Sequence, residues 1–489
     1  MSTLRRSTCC VGLVWLLGAC GPVGPDYSRP KVSTPASYRL EEPWRLGTPR
    51  AVELTEQWWQ AFNDPRLDDL EKRALEKNNT LAVAAARLEQ ARAQVAVATA
   101  GLYPEVRANA NVNRFRISAN RPQTSYSTPT SSTVQTDLLT SFSARYEADV
   151  FGRVRRSIEV AKASSEQTAA DLQTLRLLVS SDLATNYVVL GELDNEIDVV
   201  RRALEWQRKA LAFVTARHDA GAASGLDVAQ QQAQIDATAT QLELLNNQRG
   251  HVERVIATLV GSPASTFALE PKPLDMHAFA PPLGLPSDLL ERRPDIASAE
   301  RAMAAANAQI GVAEAAVYPS FILGPSYGYE SRNFLHLFDL PSLVWAFGVS
   351  SSQLLFDGGR AKAAIRFAEA GYQATLASYK QVVLNAVQEV EDGLGSLQVL
   401  DRAHQQALAS VESNRRLLQL ASDRYAGGLA TYLDVITAQQ ALLASARIRV
   451  QILGQQVNAS VFLVKALGGG WHSEQQPVKT AALAPPEER

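Results

Sequence analysis

The sequence is poor in the residues that usually mark chemistry. It has three cysteines, all within the first 20 residues, and six histidines, at 218, 251, 277, 336, 404 and 472. No two histidines have metal-ligand spacing, and the G-x-x-x-x-G-K and C-x-x-C motifs are missing. The 48 basic and 50 acidic residues nearly cancel, without a long block of either sign. These absences argue against an enzyme, a metal or cofactor site, and a nucleic-acid partner.

Proline is also missing from two long stretches, between Gly152 and Pro263 and between Pro341 and Pro477. Within them, apolar residues recur at steps of three, four or seven, the pattern of heptad-like helical seams. The pattern predicts long helical hairpins at 153–260 and 360–467. A first helix reaching residue 217 would extend about 95 Å at 1.5 Å per residue. Periodicity alone fits an ordinary solvated coiled coil equally well.

The N-terminus has the pattern of a secretory signal. Arg5 and Arg6 precede a short apolar run that is too short to span a membrane. The ending Leu-Gly-Ala-Cys20 resembles a bacterial lipobox, which predicts a signal peptide at 1–19, a covalent lipid on Cys20 and a lipidated N-terminal segment at 20–57. The alternative is an ordinary signal with an incidental cysteine. In lipoprotein sorting, the absence of Asp after the cysteine points to the outer membrane.

The chain is internally duplicated. RHDAGAASGLDV at 217–228 matches RYAGGLATYLDV at 424–435 with an offset of 207 residues (424 − 217). Helix-favouring runs that stop at Tyr103-Pro104 and Tyr318-Pro319 also correspond. Landmarks that recur in one order indicate a duplication. The predicted organisation is repeat 1 at 58–262, a linker at 263–286, repeat 2 at 287–470 and a disordered tail at 471–489.

Each repeat also contains two segments of alternating polarity, which predict strands at about 105–116 and 139–151, and at about 319–330 and 344–356. The polar run at 118–137 suits an outer loop, and 331–342 is its shorter equivalent. Strands of about ten residues are long enough to cross a bilayer when tilted. A soluble half-buried sheet has the same alternation. If the strands do span, four cannot close a barrel, so several copies must pool them.

The duplicated motif forms the turns of the two hairpins. Gly221 and Gly428 are suited to the left-handed backbone that ends a helix. Ser224 with Asp227, and Thr431 with Asp434, have the spacing of a helix N-terminus. Helix capping is therefore one interpretation of both aspartates.

Several segments carry a resemblance to a known family. They are GPDYSRP after Cys20, the stretch Trp58–Gln94, LLERRPDIASAERAMAAANAQIGVAEAAVYPS at Leu289–Ser320, and TYLDVITAQQ at Thr431–Gln440. With them the chain resembles TolC/OprM-type outer-membrane efflux channels of the lipoprotein, NodT-like branch. The resemblance implies a mainly α fold with a membrane β-barrel portion. Four strands per chain would be pooled into a twelve-stranded homotrimeric barrel, continued by a long periplasmic α-helical barrel. It also implies a periplasmic adaptor (membrane fusion protein) and an RND-type inner-membrane pump as partners, with the channel itself in the outer-membrane lipid.

The resemblance gives the hairpin turns a second role, as a constricted periplasmic entrance and adaptor contact. Gate candidates are Arg424, Tyr425, Asp227 and Asp434, with Arg424 and Tyr425 tied to neighbouring carboxylates or main chain. The tip candidates for the adaptor are Gly221, Ala223, Ser224, Gly427, Gly428 and Thr431. Two positions depart from the family pattern, since Thr437 stands where a second pore aspartate is expected and Ala430 where a gate arginine is. The competing hypothesis is a lipid-anchored periplasmic coiled-coil adaptor or structural protein.

Overall fold

A computed structural model describes residues 21–31, 35, 56–118, 133–273, 275, 277–279 and 288–471. The chain divides into two compact units. The first combines residues up to Pro30 with Leu88–Thr168 and Ala299–Tyr379, and the second combines Lys31–Arg87, Ala169–Ser298 and Lys380–Arg489. The first unit contains the sheet, and the second contains the hairpin turns. Cys20, most of the segment 32–55 and the tail beyond Trp471 lie outside the described residues.

The sheet of the first unit is antiparallel throughout. Its strands are β1 (Glu105–Ile117), β2 (Thr133–Ala148), β3 (Ser320–Leu323), β4 (Ser326–Ser331), β5 (Leu343–Ala346) and β6 (Val349–Ser352). β1 and β2 pair along the whole of β1, and β2 also pairs with β3 and with β4. β3 then pairs with β6, and β4 pairs with β5. β3 and β4 are two parts of one interrupted strand, and so are β5 and β6. The sheet therefore has four strand positions. The two outer positions each have one neighbour among the described residues, which leaves two open edges.

The strand bounds correct the prediction in three places. The second strand was predicted at about 139–151, yet β2 begins at Thr133 because residues 133–137 pair with β1, so that part of the predicted outer loop 118–137 is strand. The third strand, predicted unbroken at about 319–330, is interrupted at Gly324-Pro325, because proline has no N–H for the ladder. The fourth, predicted at about 344–356, is interrupted after Ala346 and ends at Ser352.

The described residues also form seven longer helices. They are α1 (Pro65–Lys77), α2 (Asn79–Ala100), α3 (Arg153–Asp219), α4 (Gly225–Leu259), α6 (Pro294–Ala315), α7 (Arg360–Ala426) and α8 (Tyr432–Ala466). A short helix, α5 (Leu289–Arg292), lies before α6. Helices α2 and α6 each precede the strands of one repeat. Helices α3 and α7 each have 67 residues, and α4 and α8 each have 35. Their starts and ends all differ by 207 (360 − 153, 426 − 219, 432 − 225, 466 − 259). Both hairpins therefore align without a gap.

The core of the second unit packs the 3₁₀ turn at Trp58–Phe62 against the long helices. Trp58 and Trp59 lie in a 3₁₀ turn, pack edge to face at 6.0 Å between ring centroids, and are buried. The indole Nε1 of Trp58 donates to Ser180 Oγ at 3.1 Å, which satisfies the one polar atom of the ring. Leu183 and Val461 belong to the same buried cluster. This cluster holds α1, α3 and α8 together.

The residues that follow Cys20 are held in the first unit by Arg156. Its guanidinium donates from Nε to Val23 O at 3.1 Å and from Nη2 to Gly24 O at 3.0 Å, and it forms an ion pair with Asp26 at 2.8 Å. The amide of Val23 donates to Phe151 O at 3.0 Å, between β2 and α3. The N-terminal segment is therefore fixed at the start of the first long helix.

Candidate functional site

The two hairpin turns are built identically. Gly221 has φ 72° and Gly428 has φ 71°, the left-handed backbone that glycine adopts without strain. In the first turn Ala222 N donates to Arg217 O at 2.8 Å, and in the second Leu429 N donates to Arg424 O at 2.8 Å. These six-to-one bonds are those of the Schellman helix ending. The glycine of each motif thus ends its helix as the spacing predicted.

Both aspartates of the motif cap the helix that follows. Asp434 Oδ2 accepts from Thr431 N at 2.9 Å and from Thr431 Oγ1 at 2.8 Å. These hydrogen bonds lower the pKa of Asp434, because they favour the ionised carboxylate. Asp227 sits at the same position, and its amide donates to Ser224 Oγ at 3.3 Å. Capping is therefore a role that both residues have in the structure.

Tyr425 connects the two turns. Its hydroxyl donates to Asp227 Oδ2 at 3.2 Å, so the end of α7 is bonded to the start of α4. The tyrosine is only 8% exposed. Burial, followed by the charge and hydrogen bond of Asp227, raises the pKa of Tyr425, so the phenol stays protonated and remains a donor. Of the four gate candidates, Tyr425 and Asp227 are the pair that the structure brings into contact.

The other two gate candidates lie together in the second turn. Arg424 is exposed, and its Nη2 donates to the main-chain oxygen of Leu429 at 3.4 Å, within its own turn. The charge of Arg424 is a further contribution to the lowered pKa of Asp434. The predicted contact with main chain is therefore local to one hairpin and does not join the two.

Arg217 is a member of this site that the sequence analysis did not select. Its guanidinium carbon lies 5.1 Å from the centroid of the Tyr425 ring, a cation–π distance, and its Nη1 donates to Ala426 O at 3.2 Å. Arg217 is the counterpart of Arg424 at the 207-residue offset. That correspondence was the available signal, but the spacing did not show that the first arginine would cross to the second turn.

A ring contact and two hydrogen bonds connect Tyr425 to the other three long helices. The rings of Tyr425 and Tyr432 lie 4.9 Å apart, and Tyr432 OH donates to Gln231 Oε1 at 2.8 Å. Gln231 Nε2 then donates to Gln207 O at 3.0 Å. These contacts run from α7 through α8 and α4 to α3, so the arrangement of four helices is set by polar contacts as well as by apolar packing. No periodicity marks a buried glutamine, so the sequence did not indicate these contacts.

The outer surface of the turns is open. Gly221, Ser224, Gly427, Gly428 and Thr431 are exposed and Ala223 is partly exposed. Three leucines beside them are also exposed: Leu226, Leu429 and Leu433 at 64%, 74% and 56%. Leu226 and Leu433 correspond at the 207-residue offset. An apolar side chain left in water at the same place in both repeats is typical of a contact surface.

The described ranges contain neither a cluster of metal ligands nor a helix suited to crossing a membrane. Nowhere in them do three or more His, Cys, Asp or Glu side chains gather as a metal site would require. Among the helices in those ranges, none has the length and apolar character needed to cross a membrane.

Comparison with known proteins identifies the family. The model of the outer membrane efflux protein family matches residues 70–262 and 285–469, two ranges that follow the duplication. The pyoverdine export outer membrane protein OpmQ of Pseudomonas putida is 34% identical over 96% of this chain and 99% of its own. The toluene efflux pump outer membrane protein TtgC of Pseudomonas putida is 30% identical, with 94% of each chain covered.

The fold of a solved structure leads to the same family. The outer-membrane channel OprN superposes with a TM-score of 0.83 at 29% identity, covering 92% of this chain and 99% of that one. The predicted resemblance, the mainly α fold with a sheet portion and the duplication are confirmed, and the family that matches is one of channels rather than adaptors. The chain belongs to the outer membrane efflux protein family and is an outer-membrane channel component of an efflux system.

Proposed function

We propose that the protein is the outer-membrane exit channel of a tripartite pump and works as a homotrimer without catalysing a reaction. The family match over both repeats carries this proposal. Small molecules would enter from the periplasm or from an inner-membrane pump and leave through the pore. Reconstitution into planar bilayers tests it, because purified wild-type protein should conduct ions. Protein that inserts but leaves the bilayer insulating would contradict the proposal.

The open sheet supports the trimer. Hydrocarbon does not tolerate unpaired strand edges, and the four strand positions of one chain leave an edge on each side. Three chains together would supply twelve strands and close the sheet. On unheated gels and by native mass spectrometry in detergent, the protein should have three times the mass of the heated chain. A mass of one chain in both measurements would refute the trimer.

The contact between Tyr425 and Asp227 supports a gate at the turns. A channel that narrows there can widen only if the end of α7 separates from the start of α4, which breaks this hydrogen bond and the stacking of Arg217 on the ring. Asp227 and Asp434 would each occur three times around a trimer axis, forming rings of like charge that attract cations. Capping and pore lining are compatible, since a capping carboxylate still carries its charge.

The exposed leucines support the turns as the contact for a periplasmic adaptor. Leu429 lies beside Gly427 and Gly428, so an apolar partner surface could cover all three. Leu429→Glu should reduce co-purification of an adaptor from the native host. Leu244→Glu is the matched control, because Leu244 is 61% exposed on α4 and lies away from the turn. Equal loss with both variants, or no loss with either, would contradict the assignment.

A lipid on Cys20 completes the proposal. The segment after Cys20 is tied by Arg156 to the start of α3, close after strand β2 ends, so a lipid there would lie near the strand ends. Metabolic labelling with an alkyne fatty acid should mark wild-type protein and the Cys10→Ser control, but leave Cys20→Ser unlabelled. Labelling of Cys20→Ser would refute the site.

A further inference from the structure

The helical unit contains a cavity beside the hydrogen bonds that link Tyr432 to Gln207. It has a volume of about 640 Å³ and is lined by α3, α7 and α8, and its lining begins at Ser422, about one turn before the end of α7. Its apolar lining includes Val199, Ala203, Trp206, Leu418, Leu442 and Ala446. Small-molecule sites have volumes of roughly 300–1,000 Å³ and an apolar lining with a few polar groups. The size and lining both fit that class.

Two buried amides line this cavity without satisfying their hydrogen bonds. Gln439 is 6% exposed, and neither its Oε1 nor its Nε2 has a partner in the described part of the chain. Gln207 is 3% exposed, and its Oε1 is likewise unpartnered there. Buried polar groups in proteins are nearly always hydrogen-bonded, because leaving one without a partner costs its full desolvation. These three atoms have almost no accessible surface, so a bound molecule reaches them once the two amide side chains turn toward the cavity.

The rim of the cavity is cationic. Arg202 pairs with Asp198 at 2.9 Å and Arg415 pairs with Glu412 at 3.1 Å, each on its own helix. Arg449 also lines the cavity, and no ion pair or hydrogen bond of its guanidinium is found within the described ranges. Trp206 presents a ring that is 51% exposed. A ligand with one negative charge would complement the rim, and an aromatic or alkyl body would cover the tryptophan.

We propose that this cavity binds an amphipathic organic anion of small-molecule size. Its carboxylate pairs with Arg449, its amide or hydroxyl groups bond to Gln439 and Gln207, and its apolar body packs against Trp206 and Leu418. Because three helices surround it, a bound molecule stabilises their present arrangement against any movement of α7 away from α3. Occupancy then lowers the open fraction of the channel, a consequence that rests on the proposed gate.

The binding test uses dansylglycine, which combines an aromatic ring, a sulfonamide and a carboxylate. Purified full-length protein in detergent should increase dansyl fluorescence saturably, and non-fluorescent hippurate should displace the probe. Arg449→Gln and Gln439→Leu should each weaken binding about tenfold or more, as expected for a lost charged or buried hydrogen bond. Gln439→Leu should keep or raise the melting temperature, since it removes an unsatisfied amide.

Arg416→Gln is the matched control for charge. Arg416 is exposed, follows the lining residue Arg415 and does not itself line the cavity. It should bind the probe as the wild type does. A non-saturable signal, or equal affinity of the Arg449→Gln and Arg416→Gln variants, would overturn the proposal.

Conductance separates this inference from the function on which it depends. Dansylglycine should reduce the conductance of wild-type channels and leave Arg449→Gln channels unaffected. A conducting wild type that fails to bind the probe overturns the ligand site alone. Protein that binds the probe saturably but never conducts overturns the channel function instead.

Discussion

Replacing Tyr425 by phenylalanine should favour the open channel. The substitution keeps the ring that Arg217 stacks on and removes only the hydroxyl that donates to Asp227 at 3.2 Å. A hydrogen bond to a charged group contributes about 1.5–3 kcal/mol, but this one is long and its carboxylate is partly exposed, so about 1 kcal/mol is expected. If three subunits open together, the contributions sum to about 3 kcal/mol, or roughly a hundredfold shift in the closed-to-open ratio.

Single-channel recording in planar bilayers measures this shift as open probability and mean conductance. Tyr379→Phe is the control, because Tyr379 is fully buried and its hydroxyl has no partner in the described chain, so no contact is lost. The control should conduct as the wild type does. If Tyr425→Phe behaves like Tyr379→Phe, the hydrogen bond to Asp227 does not hold the turns together, and the gate argument fails.

Three further predictions concern stability. Burial, followed by the charge of Glu196, raises the pKa of Glu192 from 4.5 to about 7. The folded state therefore holds a proton that the unfolded state releases between these pH values. Stability should fall as pH rises through that window, by about 1–2 kcal/mol per subunit, because solvent screens part of the effect at this partly exposed carboxylate. Melting curves of Glu192→Gln should be flatter over the same range, and a wild type without this slope would refute the assignment. Gly468→Ala should lower the melting temperature strongly, because φ is 92° and a Cβ would overlap the main-chain oxygen of Arg292. Gly371→Ala, with open space around it, should raise the melting temperature slightly, and equal effects of the two substitutions would contradict the strain argument. Tyr379→Phe should raise the free energy of unfolding by about 1 kcal/mol, because it removes a buried hydroxyl without a partner, and a decrease measured by denaturant titration would contradict that.

The long helices and their turns were predictable because they depend on nearby residues. The absence of proline, the seam of apolar residues and the glycine of each motif act within a few positions, and α3, α4, α7 and α8 begin or end close to where these signals indicated. The duplication was visible for the same reason, since an offset of 207 preserves every local signal.

The strand ends were less predictable, because pairing decides them. Residues 133–137 are mostly polar and resemble a loop by composition, yet they extend β2 because they pair with residues of β1. Cross-strand partners lie far along the chain, and a single sequence does not indicate their register.

The sequence by itself determined that this protein has two equivalent hairpins, each ending in a glycine turn and a capping aspartate. Only the tertiary structure decided that Arg217 of the first turn would lie on Tyr425 of the second. It also decided that Gln439 would be buried beside a cavity, with no hydrogen-bond partner among the described residues. The physical reason is distance along the chain. Helix ends are set by main-chain geometry within one turn, whereas contacts between helices about two hundred residues apart depend on how their faces rotate and pack together.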